Sequence, residues 1–255
     1  MLSADDFSVL DLFSGCGGLS LGFQRAGFEI VAAYDSWEPA IATYRANFRH
    51  AAHLVQLDQH TLLPPAAVIM GGPPCQGFSS AGRRQAGDER NTLVRVFAEL
   101  IAHHKPSAFV FENVEGFLTQ AQGRFVFDLL EPLIGAGYRI HLRKINAAHY
   151  GVPQHRKRVV AVGGLGWDPV FPEHTHSALG APGARLANGY HLPFTPTLQE
   201  TLSDLLATTV ETNGERVFPD HRCAPFNEAD RQRAQLLKPG QRMRDLPEEL
   251  WHESY

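Results

Sequence analysis

Phe7-Ser8-Val9-Leu10-Asp11-Leu12-Phe13-Ser14-Gly15-Cys16-Gly17-Gly18 is the stretch that decides the fold. Residues 7–13 form an apolar run of the kind that becomes a buried strand, and the run passes directly into a turn with glycines at 15, 17 and 18. Leu19, Leu21, Phe23 and Ala26 follow at helical spacing, and Gly27 is a stop signal, so a helix is expected over residues 19–26. A strand, a glycine turn and a helix in succession open a crossover unit of an α/β sheet, where glycine lets a ligand approach the backbone closely. The spacing is Gly-x-Gly-Gly rather than the Gly-x-Gly-x-x-Gly of dinucleotide-binding folds, which weighs against a nicotinamide cofactor.

The same alternation continues outward. Strands are expected over residues 28–34, 66–70, 107–111, 138–146 and 158–162, and helices over 37–48, 92–104 and 125–134. Such alternation implies a mostly parallel sheet with helices on both faces. After Gly163-Gly164-Leu165-Gly166 the character changes. Residues 167–200 are rich in Pro, Gly, His and Ala, and residues 201–255 return to mixed helical patterning. The expected organisation is a catalytic and cofactor-binding domain over 1–166, a linker over 167–200, and a further region over 201–255.

Bulk composition narrows the class. With 255 residues, 44% hydrophobic and 20% charged, the chain suits one large domain, or one domain with an appendage. Cys16, Cys75 and Cys223 are too few and too scattered for a disulfide framework and point to a reducing compartment. The 13 histidines are dispersed without metal-ligand spacing, so no metal is expected. No signal peptide pattern and no apolar stretch of membrane-spanning length are present, and a cytoplasmic protein is expected. A net charge of −4 argues mildly against a nucleic-acid partner, but the average hides clusters at Arg83-Arg84 and at His155-Arg156-Lys157-Arg158.

Several residues stand where chemistry is done. Asp35 ends the second strand, 20 residues after Gly15. It suits the two hydroxyls of a ribose, or the cap of the helix that follows. Trp37 can pack on an adenine face, and Asp58 can accept from its exocyclic amine. Further on, Gly71-Gly72-Pro73-Pro74-Cys75-Gln76-Gly77-Phe78-Ser79 presents a cysteine on a stiff turn just past an apolar run, as a nucleophile would be presented. Glu112 follows the apolar Phe109-Val110-Phe111, where a carboxylate needs a partner. If Gln154-His155-Arg156-Lys157-Arg158 is extended, Gln154, Arg156 and Arg158 share one side.

Four segments in order carry a resemblance. Asp-Leu-Phe-Ser-Gly-Cys-Gly-Gly-Leu-Ser at 11–20, Gly-Pro-Pro-Cys-Gln-Gly-Phe-Ser at 72–79, Glu-Asn-Val at 112–114 and Gln-His-Arg-Lys-Arg at 154–158 resemble the signature segments of DNA cytosine-5 methyltransferases. The resemblance implies a Rossmann-like fold that binds S-adenosylmethionine, with Phe13, Gly15, Gly17, Gly18, Asp35, Trp37, Asp58 and Pro74 at the cofactor. It implies that the Cys75 thiolate attacks C6 of cytosine, making C5 nucleophilic toward the methyl donor. Glu112 then serves N3, Arg158 holds O2 and Arg156 supports it. The base must leave the duplex. DNA is the implied partner, with Gln76, Ser79, Ser80, Arg83, Arg84 and Gln154 at its contact surface, within a restriction-modification or epigenetic methylation system.

The chain departs from that family in its last part. The Gly-Asn pair of the family's C-terminal segment is not found, and residues 201–255 look like the start of a target-recognition region that is incomplete. A truncated chain, one subunit of a split enzyme that needs a second polypeptide, and a degenerate member are all consistent with this. The RNA branch of the family, acting on tRNA, is the alternative substrate class, although Gln76-Gly77-Phe78-Ser79 looks more like the DNA branch. A cysteine hydrolase built on Cys75 with His149 or His155 as base is a weaker alternative, because nothing in the sequence couples either histidine to the thiol.

Overall fold

A computed structural model describes residues 7–74, 92–178, 192–203, 227–238 and 241–251. Cys75, Gln76, Ser79, Ser80, Arg83 and Arg84 lie outside the described residues. Contacts divide the chain into two compact units, residues 1–196 and 197–255.

The first unit is built on a seven-stranded sheet. In chain order its elements are β1 (Ser8–Leu12), α1 (Gly18–Arg25), β2 (Glu29–Asp35), α2 (Glu38–Asn47), β3 (Ala51–Leu54), β4 (Val68–Gly71), α3 (Thr92–His104), β5 (Ala108–Val114), α4 (Arg124–Gly135), β6 (Tyr138–Asn146) and β7 (Lys157–Leu165). The strands lie in the order β3-β2-β1-β4-β5-β7-β6. Neighbours pair in parallel from β3 through β5, whereas β7 runs antiparallel to both β5 and β6. This is the α/β, mostly parallel architecture that the alternation of segments implies.

Successive side chains of a strand point to opposite faces, so β1 feeds two cores. Leu10 and Leu12 join Ile69, Phe109 and Phe111 beneath α3 and α4, which contribute Phe97, Leu100, Ile101, Leu129 and Leu133. Val9 joins Ile30, Val68 and Met70 on the opposite face, where Leu19 and Phe23 of α1 pack. Ile41 and Tyr44 of α2 pack there on Ala33 and Ala52. Each fully buried Leu, Ile or Phe contributes about 1.5–3 kcal/mol, and both faces of the central strands are covered, as a parallel sheet needs.

Three elements differ from the sequence expectation. β3 was not anticipated, because it is a short edge strand in which only Ala52 is buried and no two-residue alternation shows. β5 continues past Phe111 through Glu112, Asn113 and Val114, which pair with Val160, Val159 and Arg158 of β7. Glu112 therefore stands inside a paired strand rather than beyond its end. The run before β7 is not extended: the Gln154 amide donates to the Val152 carbonyl at 2.7 Å and the Arg156 amide to the Gln154 carbonyl at 2.9 Å. Tight local turns replace the two-sided alternation there, which begins only at Lys157.

In the second unit, α5 (Leu198–Thr201) starts in a capping box between Thr197 and Glu200. Helix α6 (Glu228–Leu236) is capped by the Asn227 side chain. Arg233 of α6 donates to the carbonyls of Leu250 and Trp251.

In the central strand β4, Gly71 leaves no room for a side chain: an added Cβ would meet the Leu12 carbonyl and the Phe97 ring. Gly71→Ala is expected to lower stability by about 1–3 kcal/mol through overpacking. A urea midpoint unchanged from the parent would contradict this.

Candidate functional site

The turn after β1 is built from unusual backbone. Phe13, Gly15 and Gly17 have φ values of 57°, 56° and 95°. For a bulky residue such as Phe13 this left-handed geometry is costly and persists only where the surroundings impose it. Asp35, at the end of β2, does much of the imposing. One carboxylate oxygen accepts from the Gly15 amide at 2.8 Å and the other from the Trp37 amide at 2.8 Å. The Ser14 amide adds a 3.0 Å bond to the Tyr34 carbonyl. Asp35 thus ties the glycine turn to the start of α2. It does not cap α2, whose N-cap is Trp37 with no side-chain bond to the first turn; Asp35 instead holds the Trp37 amide just ahead of the helix.

The other residues expected around this turn are placed less uniformly. Gly17 packs so closely on Tyr44 and Phe48 that no side chain fits there. Trp37 precedes α2 and is 67% exposed. Asp58 is exposed and caps its own loop: its Oδ1 accepts from the His60 amide and from the Thr61 hydroxyl, both at 2.9 Å, and these bonds hold its carboxyl below the usual range. Pro74 is exposed at the end of the segment that follows β4.

Behind the turn lies a buried polar chain that spacing did not reveal. Asp11 is fully buried, and its Oδ2 accepts from the Ser20 hydroxyl at 2.6 Å. The Ser20 and Tyr44 hydroxyls are 2.6 Å apart, and the Tyr44 hydroxyl lies 2.6 Å from His50 Nε2. Burial raises the Asp11 pKa to about 7, raises that of Tyr44 to about 12, and lowers that of His50. Asp11 Oδ1 and Ser14 Oγ are buried with no protein partner among the described residues. A carboxylate in the middle of an apolar strand was the available signal for this chain.

The second cluster lies where β5 and β7 meet. Arg158 Nε contacts Glu112 Oε1 at 2.7 Å, with the two side chains 20% and 32% exposed. Partial burial strengthens such a pair relative to one on the open surface. Gly72 backs the other carboxylate oxygen, since a Cβ there would stand 3.2 Å from Glu112 Oε2. The neighbouring Asn113 is buried, and its Nδ2 donates to the Pro73 carbonyl at 3.4 Å. Glu112 thus lies against Gly72 and Asn113 bonds to Pro73, so neighbouring residues of β5 both meet the segment that leads to Cys75. Gln154 and Arg156 are exposed in the turns before β7. His149 lies 3.3 Å from His174, nitrogen to nitrogen, rather than at the Glu112 cluster. Among the described residues no group of His, Cys, Asp and Glu is arranged to hold a metal ion.

Comparison with known proteins gives a consistent picture. Residues 7–222 match the family described as C-5 cytosine-specific DNA methylase. The Type II methyltransferase M.HgiDI of Herpetosiphon aurantiacus is 38% identical over 220 residues, covering 84% of this chain and 63% of the relative. The Type II methyltransferase M.HindV of Haemophilus influenzae is 41% identical over 162 residues, covering 61% and 52%. Among solved structures, a candidate DNA modification methyltransferase encoded within an E. coli prophage superposes with a TM-score of 0.55 at 34% identity, covering 63% of this chain and 47% of that one. The Entamoeba histolytica methyltransferase EhMeth shares the fold, with a TM-score of 0.53 at 19% identity, 66% coverage of this chain and 56% of that one. The chain spans 63% and 52% of the lengths of the two curated relatives.

Two outcomes follow from the geometry. Asp35→Ala removes the acceptor of two backbone amides and is expected to cost about 1–3 kcal/mol, read from urea unfolding. The raised Asp11 pKa makes the folded protein bind a proton that the unfolded chain releases near pH 4. The stability tied to that proton is full below about pH 4 and is lost as pH rises towards 7. Over that window the parent is expected to lose stability more steeply than Asp11→Asn; parallel curves would refute it.

Proposed function

The chain belongs to the C-5 cytosine-specific DNA methylase family, and on that premise we propose that it methylates C5 of cytosine in duplex DNA, using S-adenosylmethionine. The observation that carries the proposal is the Glu112–Arg158 pair at 2.7 Å, beside the Gly72-Pro73 segment that leads to Cys75. Three of the four signature segments converge there. The fourth is the turn shaped by Asp35. The Type II names of the relatives support a restriction-modification setting for that activity.

The residues at the turn fit this cofactor. Close-approach backbone at Gly15 and Gly17, the carboxylate of Asp35 and the buried, unpartnered oxygens of Asp11 and Ser14 offer acceptors to a ligand that carries a ribose and two cationic centres. Bound there, S-adenosylmethionine supplies an electrophilic methyl group. Phe13, Gly18, Trp37, Asp58 and Pro74 complete the proposed cofactor surface.

The protein's own part is to make C5 of an unreactive ring nucleophilic. The Cys75 thiolate forms a bond to C6, and the electron pair displaced from the C5–C6 bond becomes available at C5. Glu112, once it has taken a proton from solvent as Arg158 turns away, donates a hydrogen bond or that proton at N3, so that charge does not build up on the ring. Before the base arrives, Arg158 neutralises Glu112; with the base in place, its guanidinium turns to O2 and stabilises developing charge there. Arg156 stands two residues away and adds positive potential. Once C5 carries the methyl group, loss of its proton to solvent, expulsion of the Cys75 thiolate and return of the N3 proton to Glu112 restore aromaticity. A base in a duplex cannot reach such a site, so it is flipped out, with Gln76, Ser79, Ser80, Arg83, Arg84 and Gln154 proposed along the DNA.

The decisive experiment uses duplex DNA containing 5-fluorocytosine. Fluorine at C5 cannot leave as a proton does, so the Cys75–C6 bond persists and the protein migrates with the DNA. The parent chain is expected to form this adduct, and Cys75→Ser is expected to form none while still binding the cofactor. Adduct formation by Cys75→Ser would sink the nucleophile assignment. Methyl transfer to tRNA but not to duplex DNA would move the substrate to RNA. Glu112→Gln and Arg158→Ala are each expected to slow methyl transfer by about 10²-fold or more, measured with tritiated cofactor.

A further inference from the structure

The chain from Asp11 to His50 holds more information than its distances. Each hydroxyl has one hydrogen to give. If Ser20 donates to an ionised Asp11, Ser20 must accept from Tyr44, and Tyr44 must then accept from His50. In that arrangement His50 carries a hydrogen on Nε2. If Asp11 is protonated instead and donates to Ser20, every bond reverses, and His50 must accept through a bare Nε2. The three contacts, at 2.6 Å each, permit either direction. A mixed chain leaves one contact with two hydrogens or with none.

The two directions are related by one proton. Starting from a cationic His50 and an ionised Asp11, the Nε2 hydrogen passes to Tyr44, the Tyr44 hydrogen to Ser20, and the Ser20 hydrogen to Asp11. The products are a neutral His50 protonated on Nδ1 and a neutral Asp11. No hydrogen is gained or lost, and no other reactant is needed. The ends sit in different settings. Asp11 is buried two residues before Phe13, with Asp35 the nearby charge that acts on it. His50 opens onto a cleft that Gln24, Glu29, Asn47 and Arg49 also line. Arg45 of α2 is turned away, its guanidinium bonded to the Ala52 carbonyl at 2.6 Å. Glu29 and Arg49 are therefore the charged groups that share the cleft with His50, and Asp35 is the charged group that acts on Asp11.

We propose that Tyr44 is a positioning residue whose hydroxyl links Asp11, behind the glycine turn, to His50 at the cleft, so that cofactor binding and His50 protonation are coupled. The proposal rests on the cofactor reading above in one respect: a cationic ligand at the turn favours ionised Asp11. Ionised Asp11 holds the chain in the direction in which His50 donates, and that favours the protonated ring. Coupling is reciprocal, so a protonated His50 in turn strengthens binding of the cationic cofactor. Both effects need the Tyr44 hydroxyl.

The test follows His50 by proton–carbon NMR across a pH titration of the full chain, with His50→Gln assigning its resonance among the 13 histidines. S-adenosylmethionine is the probe, and calorimetry reports its binding separately. Adding it is expected to shift the His50 midpoint upward in the parent. The shift should be lost in Tyr44→Phe, which keeps the ring that packs on Gly17, and also in Ser20→Ala, which cuts the chain elsewhere. Binding without a shift in the parent, or an equal shift in both variants, overturns the proposal. Absence of binding by the parent would instead count against the cofactor reading, and the relay is then decided in the free protein. There Asp11→Asn should lower the His50 midpoint more in the presence of the Tyr44 hydroxyl than in a Tyr44→Phe background. Equal changes in the two backgrounds overturn the relay.

Discussion

Strand β7 runs against β5, and the Glu112 cluster exists because it does. Parallel crossovers bring every strand of a sheet to the same edge with its carboxyl end. A parallel β7 would carry Arg158, near its amino end, to the opposite edge from Val114. The reversal follows from a short connection: β6 and β7 are joined through residues 147–156, too few for a parallel crossover helix. An antiparallel β7 slotted between β5 and β6 sets Val114 opposite Arg158 and lets the guanidinium reach back to Glu112. One hairpin thereby supplies the basic partner of a carboxylate that would be costly by itself inside a paired strand.

Around that pair the alternation of β5 divides the labour. Glu112 and Asn113 point to opposite faces of the strand, and each meets the segment after β4 in its own way. Glu112 lies against Gly72, where a larger residue would crowd the carboxylate, and Asn113 holds the Pro73 carbonyl. The glycine turn after β1 is organised by the same means, with a strand-end carboxylate, Asp35, accepting two backbone amides. In both places a polar side chain at or near a strand end, Asn113 or Asp35, holds irregular backbone that no ladder hydrogen bonds support.

Much of this was legible in the order of residues. The apolar runs at 7–13 and 66–70 appear as β1 and β4, and the helix expected over 92–104 is α3 with the same bounds. The turn glycines are recognisable because a positive φ favours residues without a Cβ. The edge strand β3 was not legible, because its single buried residue, Ala52, leaves no periodic trace. Nor was the length of β5, which is set by pairing with a strand more than 40 residues away. The local turns at 152–156 could not be told from an extended run by side-chain pattern.

The sequence by itself determined the class of sheet, the sites of its turns and which side chains carry chemistry, because period, glycine placement and motif order are local properties. Only the tertiary structure decided which of those side chains meet. Arg158, rather than Arg156, reaches Glu112 because β7 begins at Lys157 and its register with β5 is set by the whole ladder. Asp11, Ser20, Tyr44 and His50 come from a strand, two helices and a loop, and nothing in their spacing joins them. Packing α1 and α2 on one face of the sheet does, because a buried carboxyl is tolerated only where other polar groups have been brought to it.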